Sequence, residues 1–213
     1  MSRIAGVDEV GRGSLFGPVV AAAVILDPDR PIRGLNDSKQ LDAERREILS
    51  LRIHERASAV SIAGVDSGHI DRWNIYQATR RAMLQAVRAL EPPPDCLLVD
   101  AMKIELEIPQ KPVIGGDARS FSIAAASIVA KVVRDRWMKH WDTVYPQYGL
   151  ASNKGYSTPE HLRALEQFGP TPLHRQSFRP VACCAKFPAD LPPESAWASL
   201  PLLADLGVME THR

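Results

Sequence analysis

Ile4-Ala5-Gly6-Val7-Asp8-Glu9 is the stretch that decides how this chain folds. Its first four residues are apolar or small and read as a short strand, whose far end delivers two adjacent carboxylates. Gly11, Gly13 and Gly17 with Pro18 mark a turn directly after it. Val19 to Leu26 is then a continuous apolar run of strand length, too short for a good isolated helix. The two runs read as a hairpin or as adjacent strands.

Working outward, a polar loop holds Asn36-Asp37-Ser38-Lys39, and Asp42 through Arg56 suits a surface helix that Asp42 is placed to cap. Ala59 to Val65 supplies another strand. From His69 to Leu90, Trp73, Tyr76, Met83, Val87 and Leu90 fall at helical spacings, and Pro92, Pro93 and Pro94 end that helix. Cys96-Leu97-Leu98-Val99 is a buried strand ending on Asp100. A loop with Lys111, Pro112, Gly115 and Gly116 leads to Asp117, and a long helix is expected from about Ser122 to His140. After Tyr148 the chain reads as helix and loop, with a short helix near Thr158 that has Pro159 at its first position. Strands alternating with helices predict an α/β domain around a central sheet.

The chain of 213 residues suits one domain, or one domain with an appendage. No apolar run approaches the roughly 18 residues of a membrane span. The first residues lack the basic-then-apolar build of a signal peptide, so a cytoplasmic location is expected. Cys96 sits in an apolar run and Cys183 and Cys184 are adjacent, with no Cys-x-x-Cys pair to suggest zinc. They read as buried or incidental thiols. The net charge of +1 divides unevenly: residues 188–213 carry four acidic side chains and one basic, leaving +4 on the remainder. That excess permits a polyanionic partner without demanding one. The last 26 residues are rich in proline, alanine and leucine and read as an appended tail.

Asp8-Glu9 and Asp100 each end an apolar strand, and strand ends in an open α/β sheet face a common crevice. Neighbouring strands would bring three carboxylates together there, and Asp117 could add a fourth. Like charges gathered so closely repel unless a cation neutralises them. Oxygen-rich sites without histidine favour Mg²⁺ or Mn²⁺. Two such ions about 4 Å apart can hold a phosphodiester, activate a water and stabilise the leaving oxygen. The competing readings are a solvated Asp-Glu loop and an Asp100 that caps a turn. Spacing alone does not choose between them.

The chain resembles the ribonuclease HII family over roughly residues 3–182, in seven blocks that keep the family's order. They are Gly6-Val7-Asp8-Glu9-Val10-Gly11-Arg12-Gly13 with Gly17-Pro18, Asn36-Asp37-Ser38-Lys39, Leu98-Val99-Asp100, Gly116-Asp117, Ser122 to Val132 with Arg134-Asp135, Lys154-Gly155-Tyr156, and His174-Arg175-Gln176-Ser177-Phe178. The resemblance implies a ribonuclease-H-like mixed central sheet flanked by helices, with a helical C-terminal extension. It divides the chain into a catalytic domain at 1–145, a helical part of the same unit at 146–187, and the tail at 188–213. The sister type, ribonuclease HIII, carries an additional N-terminal domain; a motif that begins at residue 4 favours the HII type.

By the same resemblance, Asp8, Glu9, Asp100 and Asp117 would be both catalytic residues and ligands to two Mn²⁺ or Mg²⁺ ions. Asp135 competes for the fourth place but is expected to bond a neighbouring basic group instead. Gly11, Arg12 and Gly13 would approach the 2′-hydroxyl that separates RNA from DNA; without the resemblance they read as a tight turn. Lys39 would contact phosphate, and Tyr156 would pack on the sugar beside the scissile phosphate. Lys154, His174 and Arg175 are further phosphate-contact candidates, with His174 open to a structural reading. Ser14-Leu15-Phe16 and Ser157 depart from the commoner pattern without removing a ligand. The implied activity is endonucleolytic cleavage of RNA-DNA hybrids and of DNA duplexes containing ribonucleotides, by a monomer.

Overall fold

In the computed structural model, which describes residues 2–36 and 38–184, strand β1 runs Ile4–Val10 and β2 runs Val19–Ile25. Strands β3 (Ala59–Val65), β4 (Cys96–Asp100) and β5 (Gln110–Val113) complete a five-stranded sheet of order β3-β2-β1-β4-β5. β1 pairs antiparallel with β2 and β2 with β3, whereas β1-β4 and β4-β5 are parallel. The sheet is therefore mixed, as expected. Because Val7 pairs with Val99 in parallel register, Asp8 and Asp100 each follow that pair by one residue, at the same end of the sheet.

Helices cover both faces: α1 (Ala43–Arg56) and α4 (Phe121–Val144) on one, α2 (Ser67–Trp73) and α3 (Ile75–Arg88) on the other. The two-residue period of β1 sends Ala5 and Val7 into the apolar cluster that includes Ile70, Met83 and Val87. Gly6 and Asp8 consequently face α4. A Cβ at Gly6 would lie 2.0 Å from the carbonyl carbon of Ser122, so β1 touches the start of α4 backbone to backbone. Ala124, Ala125 and Ala126, all buried, keep that helix close to the sheet. β2 is buried along its whole length, which explains its continuous apolar run.

Beyond α4 come α5 (Leu150–Asn153), α6 (Pro159–Phe168) and α7 (Arg179–Ala182). Tyr148, Leu150, Leu165, Leu173 and Val181 join Val20, Val24 and Val133 in one hydrophobic cluster, so this helical extension shares the core of the sheet. Asp42 caps α1 by accepting from Arg45 N at 2.7 Å, and Thr158 caps α6 ahead of Pro159.

Two elements differ from the sequence reading. The expected helix over His69–Leu90 is broken at Asn74, which adopts φ 68° and caps α3 by accepting from Gln77 N. With ψ at 161° this is a strained backbone position that glycine alone adopts freely, held here because the short Asn74 amide caps α3, so helical spacing runs through the break without recording it. Tyr76 is accordingly 47% exposed rather than in the core. The segment read as a loop around Lys111 contains β5, where Pro112 is tolerated because the strand lies at the sheet edge. No helix among the described residues is long and apolar enough to cross a membrane. The readings for Asp37 and for residues 188–213 lie outside the described residues.

Candidate metal and nucleic-acid site

At the shared strand ends, carboxylate oxygens of Asp8, Glu9 and Asp100 all come within 4.8 Å of one another. Asp8 is only 5% exposed. Burial, then the charges of Glu9 and Asp100, push its carboxyl well above the usual range. Glu9 is raised in the same direction, chiefly by burial, although Arg12 opposes the shift. Backbone donors fix the geometry: Glu9 N donates to Asp8 Oδ1 at 2.7 Å, and Gly116 N donates to Asp100 Oδ1 at 2.8 Å. Glu9 Oε1 takes a long contact of 3.4 Å from Arg12, whereas Glu9 Oε2 is buried and receives no hydrogen bond from any described residue. A buried carboxylate oxygen without a donor is costly. A divalent cation would satisfy it, and the all-oxygen ligand set suits Mg²⁺ or Mn²⁺.

Asp117 stands apart from this triad. It is buried, but its Oδ1 accepts from Ala118 N at 3.0 Å and its Oδ2 meets Lys39 Nζ at 3.3 Å. Lys39 reaches it because Ser38 Oγ is 2.9 Å from Ser127 Oγ of α4, and Arg46 donates to Ser38 O. The four acidic candidates and Gly11, Arg12, Gly13, Lys39 and Tyr156 nevertheless all line one open cleft of about 410 Å³. Asp135 is engaged elsewhere: Lys131 Nζ donates to it at 2.7 Å.

His174 and Arg175 are not surface phosphate contacts, because both are fully buried. Arg175 turns inward and donates to Gly17 O, Arg12 O and Gly11 O at 3.0, 2.8 and 2.7 Å. Lys154 Nζ donates to Ala151 O.

Sequence reasoning also missed Arg134, again fully buried. It donates to Pro18 O, Lys154 O, Ser14 Oγ and Phe16 O. Its guanidinium lies 5.7 Å from the centre of the Tyr156 ring. Among the described residues neither arginine has a carboxylate partner. A planar guanidinium with five donors answers its burial by collecting carbonyl oxygens. Burial holds Arg175 down at about 9, with the charge of Arg134 adding to the effect. Gly11 (φ 89°) is required here, since a Cβ would lie 2.2 Å from Arg134 Nε. The signal for Arg134 was present in the sequence: it shares the buried stripe of Ala130, Val133, Trp137 and Met138.

Comparison with known proteins agrees with this picture. The sequence model of the family described as Ribonuclease HII matches residues 5–181. Ribonuclease HII of Solibacter usitatus (strain Ellin6076) is 65% identical over 187 residues, which is 88% of this chain and 82% of that protein. Ribonuclease HII of Koribacter versatilis (strain Ellin345) is 64% identical over 178 residues, 84% of this chain and 70% of that protein. The crystal structure of ribonuclease H2 from Pyrococcus horikoshii OT3 superposes with a TM-score of 0.73 at 26% identity, covering 84% of this chain and 95% of that one. The mixed sheet with its flanking helices is thus the ribonuclease-H-like fold. This chain belongs to the ribonuclease HII family, the metal-dependent endoribonucleases of the ribonuclease H type.

Proposed function

We propose that the enzyme hydrolyses the phosphodiester on the 5′ side of a ribonucleotide, in RNA-DNA hybrids and at ribonucleotides embedded in duplex DNA. The P–O3′ bond breaks, leaving a 3′-hydroxyl and a 5′-phosphate. Membership of the ribonuclease HII family supports endonuclease action on RNA-DNA hybrids. The observation that carries the finer reading is the buried cluster of Asp8, Glu9 and Asp100, with its orphaned Glu9 Oε2, facing the same cleft as the glycine loop and Tyr156.

Asp8, Glu9, Asp100 and Asp117 would hold two Mg²⁺ or Mn²⁺ ions, which when bound supply the Lewis acidity that activates a water and steadies the leaving oxygen. The chain's own groups do the positioning. Gly11 and Gly13 let the backbone come close to the ribose 2′-hydroxyl. Arg12 and Lys39, exposed at the rim, would neutralise phosphate charge; Lys39 would exchange its contact with Asp117 for one with the backbone. Tyr156 would pack on the neighbouring sugar. Residues 1–145 then form the catalytic domain and 146–187 part of the same unit, a unity supported by the hydrophobic cluster that the described residues of both parts share. A cytoplasmic monomer is part of the reading, in keeping with three free thiols.

A labelled DNA duplex with one ribonucleotide tests the proposal. Incision 5′ of the ribonucleotide with Mg²⁺ or Mn²⁺, none with chelator, and no turnover of a generic phosphomonoester are expected. Cleavage that persists in chelator would overturn it.

A further inference from the structure

Tyr156 and the glycine loop form adjoining walls of the cleft: a Cβ at Gly13 would stand 3.9 Å from the Tyr156 ring. Three successive carbonyls fix the segment that carries this tyrosine. Lys154 O accepts from Arg134, Gly155 O accepts from Leu15 N at 2.8 Å, and Tyr156 O lies 2.9 Å from His161 Nδ1. Thr158 N also donates to Tyr156 O. His161 and His174 are both fully buried, and their Nε2 atoms are 3.0 Å apart.

The hydrogen bonds leave one proton arrangement. Thr171 N can only donate, and it lies 2.9 Å from His174 Nδ1, so that nitrogen accepts. His174 therefore carries its proton on Nε2 and gives it to His161 Nε2. His161 must then carry its own proton on Nδ1, where it donates to the Tyr156 carbonyl. A second proton on either ring would set two N–H groups face to face. Burial lowers both rings from the usual histidine range, which agrees with two neutral imidazoles.

We propose that His161, locked in one neutral tautomer by His174, is a positioning residue for Tyr156, and through it for the choice of sugar at the cleavage site. The proposal rests on the nuclease reading above. Nothing else in the cleft requires a buried pair of histidines. Their line of bonds runs from the Thr171 backbone to the carbonyl of Tyr156, the one aromatic residue among the described residues that line the cleft. Displacing such a ring by a fraction of an ångström moves the reacting phosphate off line, which costs rate rather than affinity.

Two substitutions separate positioning from mere stability. In His161→Asn the amide nitrogen takes the place of Nδ1, keeping the donor to Tyr156 but leaving His174 Nε2 unpaired. In His161→Gln the amide reaches the place of Nε2, keeping His174 satisfied but losing the donor. On a duplex with one ribonucleotide, His161→Gln is expected to lower kcat roughly tenfold with KM within about twofold. His161→Asn is expected to lose thermal stability yet keep kcat within about twofold. In a Tyr156→Ala background, His161→Gln should add almost nothing. Loss of activity that tracks stability in both variants, or a full additional loss in the Tyr156→Ala background, would overturn the proposal. If His161→Gln does not fold, the Asn variant decides: retained kcat supports the role, and a loss equal to that of Tyr156→Ala refutes it. A wild-type enzyme that does not cut this duplex would instead sink the nuclease reading, and the positioning role with it.

Discussion

Gly6 of β1 and Ser122 of α4 meet without any side chain between them, since a Cβ on Gly6 would lie 2.0 Å from the Ser122 carbonyl carbon and 2.3 Å from Ile123 N. Backbone cannot swing aside as a flexible side chain can. The contact sets how far β1 stands from the helix, and so where Asp8, two residues on, is delivered.

Gly6→Ala should therefore destabilise the protein by about 1–3 kcal/mol or more, through overpacking, and should also depress cleavage. The midpoint of urea unfolding measures the first effect. An unchanged midpoint would mean that strand and helix do not touch there.

Asp8 behaves oppositely in the metal-free protein. Its carboxyl is raised by burial and by Glu9 and Asp100, so the ionised form opposes folding at neutral pH. Asp8→Asn removes that charge, and its melting temperature in chelator should exceed the wild type's, at about 2–4 °C for each kcal/mol regained. Cleavage should be lost, along with most of the stabilisation that added Mn²⁺ gives the wild type. A variant less stable than wild type in chelator would contradict the crowding of negative charge.

His174 sets an acid limit on stability. Its ring is held down to about 3, chiefly by burial, whereas an unfolded histidine titrates near 6.5. Between those values the unfolded chain binds a proton that the folded one refuses, so stability falls as pH drops through this window. The slope is up to about 1.4 kcal/mol per pH unit for one such group. His161, lowered for the same reason, adds in the same sense. The raised carboxyls of Asp8 and Glu9 act the other way, so the comparison with His174→Asn isolates the ring. Unfolding free energy against pH, measured in chelator, should be shallower for that variant; an equal slope would place the proton elsewhere.

Much of the fold and site was legible in the sequence because strands advertise themselves by apolar runs and end abruptly. Asp8 and Asp100 could be placed at strand ends, although only the parallel register of Val7 with Val99 shows that these ends coincide. Asp117 was legible as a possible fourth carboxylate after Gly115-Gly116, a place the family resemblance strengthened, and the structure sets it beside the triad rather than within it. β5 was hidden by Lys111 and Pro112, residues an edge strand accepts and a central one does not. The break at Asn74 left the helical spacing around it intact. Arg134 went unread as part of the site, and Arg175 was read as a phosphate contact instead of an internal brace, for a different reason. Their acceptors include carbonyls more than a hundred residues away, such as Pro18 O and Gly11 O, and only the folded chain brings these within reach.

If Asp8, Glu9 and Asp100 together hold a divalent ion, crystals grown with Mn²⁺ and measured for anomalous scattering should reveal it in place. A strong peak bonded to oxygens of all three side chains, including Glu9 Oε2, is expected, and it should be absent from Asp100→Asn crystals. Carboxylates that stay clustered with no peak between them, or a peak bound elsewhere in the cleft, would contradict it.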